Sequence, residues 1–198
     1  ISLGNLRKDY VSERFVIVNQ FESKKSKTKK NPYKSGNESM TNPSVLSLVQ
    51  KDGMLQRLQD DENNFVKDWS VRVFPALEPC VSVDADNSYT EHPLHSEPAY
   101  GYHYVVVASP DEKETLSTIS QDQWGMVLSV IQDRLRWLYT QKGVAYVAIY
   151  ANHGKDGRAD VDHPHLHLMS FYTIPPTIKE EENFEHHILN ENGFYPIT

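Results

Sequence analysis

Three histidines at alternate positions lie in the segment Val161–Phe171, which reads VDHPHLHLMSF. Alternate side chains along an extended strand share one face, about 6.6 Å apart at roughly 3.3 Å per residue. His163, His165 and His167 are therefore predicted to line one side of a strand, while the leucines beside them line the other. Such a row of imidazoles can hold a metal ion, supply a nucleophile, or form the polar face of a half-buried strand.

The chemistry of imidazole separates these three interpretations only in part. Imidazoles at alternate strand positions can bind zinc or iron, but that site needs a further ligand, and the sequence contains no evident partner motif. Catalysis on phosphorus needs a neutral imidazole that attacks and a second polar group that protonates the leaving oxygen. Nearby His103 and His153 favour a functional row over a coincidental one. The residue types alone leave the metal site, the nucleophile and the structural strand open.

Hydrophobic periodicity predicts the elements that position this row. The clearest is a helix over residues 120–142: Ser120 and Gln123 form a capping-box pattern, apolar residues recur at three- and four-residue intervals, and Gly143 ends the helix. The order of elements predicts one α+β domain over residues 1–198, with a histidine-triad-like antiparallel sheet of about five strands and this helix packed on it. The predicted strands cover residues 14–18, 69–74, 101–109, 144–151 and 163–172. The other predicted segments are a basic loop at 21–43, a short helix or apolar anchor at 43–49, a loop at 81–98, and an acidic helix and tail at 177–198.

Composition and charge limit the classes of partner. The chain has 198 residues, a formal net charge of −7 at pH 7 and one cysteine, Cys80. The acidic balance argues against extended nucleic acid and membrane surfaces, although a local basic patch can hold a small polyanion. One cysteine excludes an intramolecular disulfide and a zinc site built on several cysteines. No apolar run reaches the ~20 residues of a membrane helix, and the stretch ISLGNLRKDY lacks the pattern of a signal peptide, so a cytoplasmic protein without a membrane partner is predicted.

The histidine row and several other motifs resemble one known family. His163-Pro164-His165-Leu166-His167 resembles the His-x-His-x-His signature of the histidine-triad superfamily, and the chain around it is similar to the amino-terminal half of galactose-1-phosphate uridylyltransferase. Each further motif is weak by itself, but their order and spacing together are specific. In chain order they are Arg7-Lys8-Asp9, Ser35-Gly36-Asn37-Glu38, Arg72-Val73-Phe74-Pro75, Gly101-Tyr102-His103 with Ser109-Pro110, Asn152-x-Gly154, and Ile174-Pro175-Pro176.

The resemblance implies a covalent nucleotidyl-histidine mechanism. His165 would attack the α-phosphorus of a nucleoside diphosphate compound, such as a nucleotide sugar or a dinucleoside polyphosphate, and a second acceptor would resolve the intermediate. A strand carbonyl that accepts from one ring nitrogen would leave the other as the nucleophile, aimed into an anion-binding pocket. His163 and His167 would complete the catalytic row. The residues implied in nucleotide or phosphate binding are Asn152, Gly154, Arg72 and Asp160, the last standing where the family has a serine.

Departures from the family pattern concern zinc and specificity. Zinc-binding members carry Cys-x-x-Cys where this chain has Asn31-Pro32-Tyr33-Lys34, and a histidine where it has Glu112, so only His163 of the presumed zinc ligands remains. No zinc and no other cofactor are therefore predicted. The family's nucleotide-binding strand usually ends in Pro-Asn, whereas Ala76 follows Pro75 here, so neither uridine nor galactose specificity is predicted.

The acceptor and the assembly are also open at this point. Transferases and phosphorylases of the superfamily generally have Gln at the position of His167, whereas its hydrolases have His, and an imidazole can donate a proton near neutral pH where an amide cannot. Water, phosphate and a sugar phosphate all remain as acceptors. The related transferases have two similar halves, so the resemblance implies a homodimer or a fragment of a two-half protein. The alternatives are a metal-dependent enzyme that uses the histidines as ligands, and a degenerate nucleotide-binding protein without turnover.

Overall fold

The computed structural model describes residues 4–9, 11, 14–18, 30–62, 64–85, 90, 96–154, 156, 157, 159 and 161–193. Within them, two antiparallel sheets and two α-helices form an α+β fold, which confirms the predicted fold class. The strands are β1 (Asn5–Lys8), β2 (Phe15–Val18), β3 (Leu46–Lys51), β4 (Met54–Leu58), β5 (Trp69–Pro75), β6 (Ser96–Pro98), β7 (His103–Val107), β8 (Tyr146–Tyr150) and β9 (His165–Phe171). The helices are α1 (Gln121–Thr140) and α2 (Pro176–Asn192), and a 3₁₀ turn covers Glu38–Met40.

The main sheet has six strands in the order β4-β3-β5-β7-β9-β8, and a smaller sheet has three in the order β2-β1-β6. Four of the five predicted strands lie in the main sheet, and the fifth, β2, lies in the smaller one. The other two strands of the main sheet, β3 and β4, form a hairpin over residues 46–58, whereas a short helix or an anchor was predicted at 43–49 and no element at 50–58. Asp52 and Gly53 connect its strands with φ angles of 51° and 76°. Two successive positive φ angles are typical of the type I′ turn that closes two-residue hairpins, and Asp-Gly is its preferred sequence.

Helix α1 covers one face of the main sheet. Ser120 is its N-cap, and the Ser120 hydroxyl accepts a hydrogen bond from the Gln123 N–H (3.1 Å). The Gln123 side-chain NH2 group donates to the carbonyls of Ser70 (2.8 Å) and Ala108 (2.6 Å) and so ties the start of α1 to the sheet. The buried core between helix and sheet includes Leu48, Val71, Val73, Val106, Val127, Val130, Ile131, Leu138 and Leu168.

The histidines lie on the opposite face of the sheet. In the pairing of β7 with β9, Val107 lies opposite His165 and Val105 opposite His167. Leu168 is buried in the α1 core, with Leu166 packed against it. The predicted separation of histidines and leucines is therefore confirmed for β9, although His163 precedes the strand, which begins at His165.

The predicted C-terminal helix and tail and the predicted basic loop are described only in part. Helix α2 begins at Pro176 and is capped by Gly193, whose φ of 75° is left-handed, while residues 194–198 of the predicted tail lie outside the described residues. Residues 21–29 of the predicted basic loop also lie outside them. No helix in the described part of the chain has the length and apolar character needed to cross a membrane.

Candidate active site

His165 stands at the first position of β9, and a backbone contact sets its tautomer. Its Nδ1 lies 2.6 Å from the carbonyl oxygen of His163. A carbonyl oxygen can only accept, so Nδ1 carries a hydrogen, and in the neutral ring the lone pair lies on Nε2. This is the form of imidazole that a nucleophile requires.

The surroundings of His165 are closed. The residue is 2% exposed, with the Tyr33 ring edge-on to its ring at a centroid distance of 5.1 Å and the His167 ring at 5.0 Å. This differs from the expectation of a ring that opens into an anion-binding pocket. A cavity of about 480 Å³ lies between the small sheet and the start of α2, but its lining is mainly apolar and includes none of the three histidines.

His167 makes contacts with two neighbouring strands. Its Nδ1 lies 3.0 Å from Nε2 of His103 on β7, and its ring stacks on Tyr150 of β8 with centroids 5.0 Å apart and planes at 17°. His103 accepts a hydrogen bond at Nδ1 from the backbone N–H of Cys80 (3.2 Å). Burial, together with the charge of His167, lowers the pKa of His103 to about 4. The sequence predicted only that His103 lies near the histidine row, although its position at the start of the predicted strand 101–109 could have indicated a role in it.

Both ring nitrogens of His163, which lies two residues before His165, make hydrogen bonds. Its Nε2 donates to the carbonyl oxygen of Ser109 (2.7 Å), and its Nδ1 accepts from the Asn31 amide (3.0 Å). The Asn31 amide is oriented because its oxygen accepts from the N–H of Tyr33 (2.9 Å). Burial lowers the pKa of His163, in spite of the opposing hydrogen bond to Ser109. The ring therefore anchors the backbone whose carbonyl orients His165.

The residues at the family's zinc positions form two polar pairs. Asn31 bonds His163, and the Lys34 ammonium lies 2.7 Å from a Glu112 carboxylate oxygen. The hydrogen bond from Lys34 is the largest cause that lowers the pKa of Glu112. An ammonium group, an amide and a histidine whose lone pair is already bonded do not suit zinc, which prefers thiolates and imidazoles with available lone pairs. In the described part of the chain, no three His, Cys, Asp or Glu side chains are grouped so as to hold a metal ion.

We predict that this position gains zinc when its ligands are restored. The triple variant Asn31→Cys, Lys34→Cys and Glu112→His adds three ligands and releases Nδ1 of His163, so it is expected to retain about one equivalent of zinc after dialysis. The unaltered protein is expected to retain well under one equivalent. Elemental analysis of both proteins measures the difference. A full equivalent in the unaltered protein that disappears in His163→Gln would contradict the prediction.

Arg72 does not join the histidine cluster, although it lies in the same cross-strand row. Register places Arg72 opposite Val107, and Val107 opposite His165. The guanidinium turns away, however, and donates to the Thr41 hydroxyl (2.7 Å) and to an Asp60 carboxylate oxygen (2.6 Å). Arg72 is 2% exposed. Arg72 is therefore held in a buried ion pair with Asp60 in this structure, and its predicted phosphate-binding role stays a prediction.

The other predicted ligand residues lie beyond the end of β8. Tyr150, its last residue, pairs with His167 in antiparallel register, so the chain continues toward the His165 end of β9. Asn152 is exposed there, and Gly154 turns the chain with a φ of 67°. This placement is compatible with a phosphate contact from Asn152. Asp160 lies outside the described residues.

The fold and this histidine strand define a member of a known family. Residues 56–175, more than half of the 198-residue chain, match the family described as galactose-1-phosphate uridyl transferase, N-terminal domain. The chain belongs to this family, and the resemblance seen in its motifs is confirmed.

Individual relatives extend the comparison to nearly the whole chain. The ADP-glucose phosphorylase of Arabidopsis thaliana is 26% identical over 197 residues, which cover 95% of this chain and 54% of that protein. A solved uridylyltransferase structure superposes with a TM-score of 0.74 at 19% identity, covering 96% of this chain and 52% of that one. The crystal structure of an Arabidopsis thaliana ADP-glucose phosphorylase with bound ADP-glucose superposes with a TM-score of 0.66 at 22% identity, covering 95% and 55%. The two structural likenesses show the fold, and this chain spans about half the length of the relatives it matches.

Proposed function

We propose that this protein transfers a nucleotidyl group from a nucleoside diphosphate sugar through a covalent intermediate on His165. The observation that carries the proposal is the hydrogen bond from His165 Nδ1 to the His163 carbonyl, because it leaves the lone pair on Nε2. Family membership supports the reaction class. One relative is named an ADP-glucose phosphorylase, and ADP-glucose is bound in the crystal structure of an ADP-glucose phosphorylase, which makes it the first donor to test.

The proposed reaction has two displacements at one phosphorus. The Nε2 lone pair of His165 forms a bond to the α-phosphorus while the bond to the bridging oxygen breaks, and a sugar 1-phosphate leaves with that electron pair. The ring becomes positively charged, and the His163 carbonyl that accepts from Nδ1 stabilises the charge. An acceptor oxygen, from phosphate or a sugar phosphate, then attacks the same phosphorus and His165 leaves. Splitting the transfer in this way predicts ping-pong kinetics.

The phosphoryl oxygens need donors that are in place before the reaction. His167 follows His165 on the same face of β9, and Asn152 lies at the adjoining end of β8. We assign both to the phosphate.

The closed packing around His165 has a further consequence for this proposal. Since His165 is 2% exposed, the groups packed around its ring must move before Nε2 reaches the phosphorus, and the Tyr33 ring is one of these neighbours.

Hydrolysis is the second candidate, because residue 167 is a histidine, as in the hydrolases of the superfamily. Water would then resolve the same intermediate. The two candidates share the first displacement and differ only in the acceptor, so one assay separates them.

Trapping the intermediate tests the shared step. The protein is incubated with ADP-glucose or UDP-glucose radiolabelled at the α-phosphorus, without an acceptor, and quenched in base, where a phosphoramidate on histidine is stable. We expect label on the peptide that contains His165. Addition of phosphate or of glucose 1-phosphate then discharges the label to a nucleotide product in a transferase, whereas loss to the mononucleotide without an acceptor identifies a hydrolase. Turnover of a donor without any labelled protein would overturn the covalent mechanism.

A further inference from the structure

A chain of hydrogen bonds with one possible direction runs from the backbone to His167. It begins at the Cys80 N–H, which can only donate, so His103 Nδ1 must hold a lone pair. A neutral His103 then carries its hydrogen on Nε2, which faces Nδ1 of His167 at 3.0 Å. That nitrogen must accept, so the hydrogen of His167 lies on its Nε2.

This direction gives two histidines of the same strand opposite tautomers. His165 carries its hydrogen on Nδ1, because the His163 carbonyl accepts there, and its lone pair lies on Nε2. His167 carries its hydrogen on Nε2. The first is built to attack a phosphorus and the second to donate a hydrogen bond.

We propose that His103 is a positioning residue that holds His167 as a neutral hydrogen-bond donor through Nε2. The part of this inference that concerns phosphate rests on the proposed function, whereas the tautomers do not. Held in this way, His167 presents the same kind of N–H group as the amide of the glutamine that related transferases carry. A histidine at position 167 therefore no longer favours water over phosphate or a sugar phosphate as acceptor.

The neutral state follows from the packing of the pair. His103 is buried, and burial is the largest cause that lowers its pKa to about 4, so His103 stays neutral near pH 7. Adding a proton to His167 at Nδ1 would direct that N–H at the Nε2–H of His103. The fixed Cys80 N–H opposes the change of tautomer in His103 that would relieve this contact. Protonation of His167 therefore costs the hydrogen bond between the two rings.

Ring nitrogen NMR tests the tautomers without any enzymatic assay. The protein is labelled with ¹⁵N in the histidine rings. Ring nitrogens that carry a hydrogen and those that do not have well-separated ¹⁵N chemical shifts. Near neutral pH we expect His167 to show an unprotonated Nδ1 and a protonated Nε2, and His165 to show the reverse. Assignment uses the single variants His165→Asn and His167→Gln, each of which removes one set of signals. A protonated Nδ1 in His167 would overturn the inference.

Two variants of similar size test the consequence for the reaction. His103→Gln keeps an N–H that can reach His167, whereas His103→Met has no donor. We expect kcat of the Met variant to fall on the order of 10-fold, which is the loss typical of residues that orient a metal-binding side chain. The Gln variant should keep most of the kcat of the unaltered protein. The Met variant should also lose the fixed tautomer of His167. Equal kcat in all three proteins would remove the positioning role, while correct NMR tautomers without turnover of any donor would count against the proposed function alone.

Discussion

Replacing His165 by Asn is expected to lower nucleotidyl transfer by about 10³-fold or more, and to abolish labelling of the protein. An amide nitrogen has no lone pair that can attack phosphorus, so the first displacement is lost. The Asn amide can still donate to the His163 carbonyl from nearly the position of Nδ1, which preserves the local backbone contact. The measurement is kcat/KM with ADP-glucose and phosphate, and with UDP-glucose and a sugar phosphate.

The matched control makes the same substitution at an exposed histidine. His187 lies on α2, its side chain is 64% exposed, and it faces Glu191 on the same helix. His187→Asn should leave turnover unchanged. Thermal unfolding of both variants shows whether the His165 variant is folded. A folded His165→Asn protein that keeps more than about a tenth of the turnover would exclude His165 as the nucleophile.

The periodic parts of the site were predictable from sequence because they depend on local geometry. Alternation along β9 separates the histidines from the leucines whatever packs on either face. The N-cap of α1 was equally local, since Ser120 bonds an N–H three residues away. The missed hairpin of β3 and β4 also had a local signal, the Asp-Gly turn at residues 52 and 53, so its omission was a failure to use a pattern that was present.

The polar contacts that define the site could not be predicted in this way. Asn31 bonds a histidine 132 residues later, and His103 bonds one 64 residues later. Periodicity predicts the face on which a side chain lies but not the direction of its polar end. Arg72 shows this most clearly, because its strand position faces the histidine side while its guanidinium bonds Asp60. Chemistry inferred from a motif therefore needs the contacts of each polar atom before a role is assigned.

Removing the Asp60 carboxylate is expected to destabilise the protein by about 3–5 kcal/mol, the cost of leaving one partner of a buried ion pair alone. The side chains of Arg72 and Asp60 are 2% and 0% exposed, and their nitrogen and oxygen lie 2.6 Å apart. Asp60 also accepts from the N–H groups of Ser44 (2.7 Å) and Val66 (2.8 Å). Asp60→Ala therefore removes the charge partner of a buried guanidinium and the acceptor of two backbone N–H groups. Urea denaturation at neutral pH measures the loss, and Asp61→Ala, at the exposed neighbouring position, should change stability by less than about 0.5 kcal/mol.

The same pair decides between a structural Arg72 and a phosphate ligand. If Arg72 is structural, Arg72→Met should lose about as much stability as Asp60→Ala. The milder variant Asp60→Asn, assayed well below its melting temperature, should then keep its affinity for ADP-glucose. A phosphate ligand predicts the opposite, with weaker nucleotide binding by Arg72→Met at nearly unchanged stability.

The pH dependence of stability gives an independent check on the ion pair. Burial alone would raise the pKa of Asp60, but the hydrogen bonds from Ser44 and Arg72 outweigh it, so the pKa lies below the ordinary value of 3.8. Because the folded state binds that proton less readily than the unfolded chain, the stabilisation is complete above the unfolded pKa and is lost as the pH falls through the folded one. The stability difference between the unaltered protein and Asp60→Asn should therefore be constant from pH 7 to about 5 and shrink at lower pH. A difference that instead grows on acidification would mean that Asp60 is protonated in the folded protein and that its bond to Arg72 is not ionic.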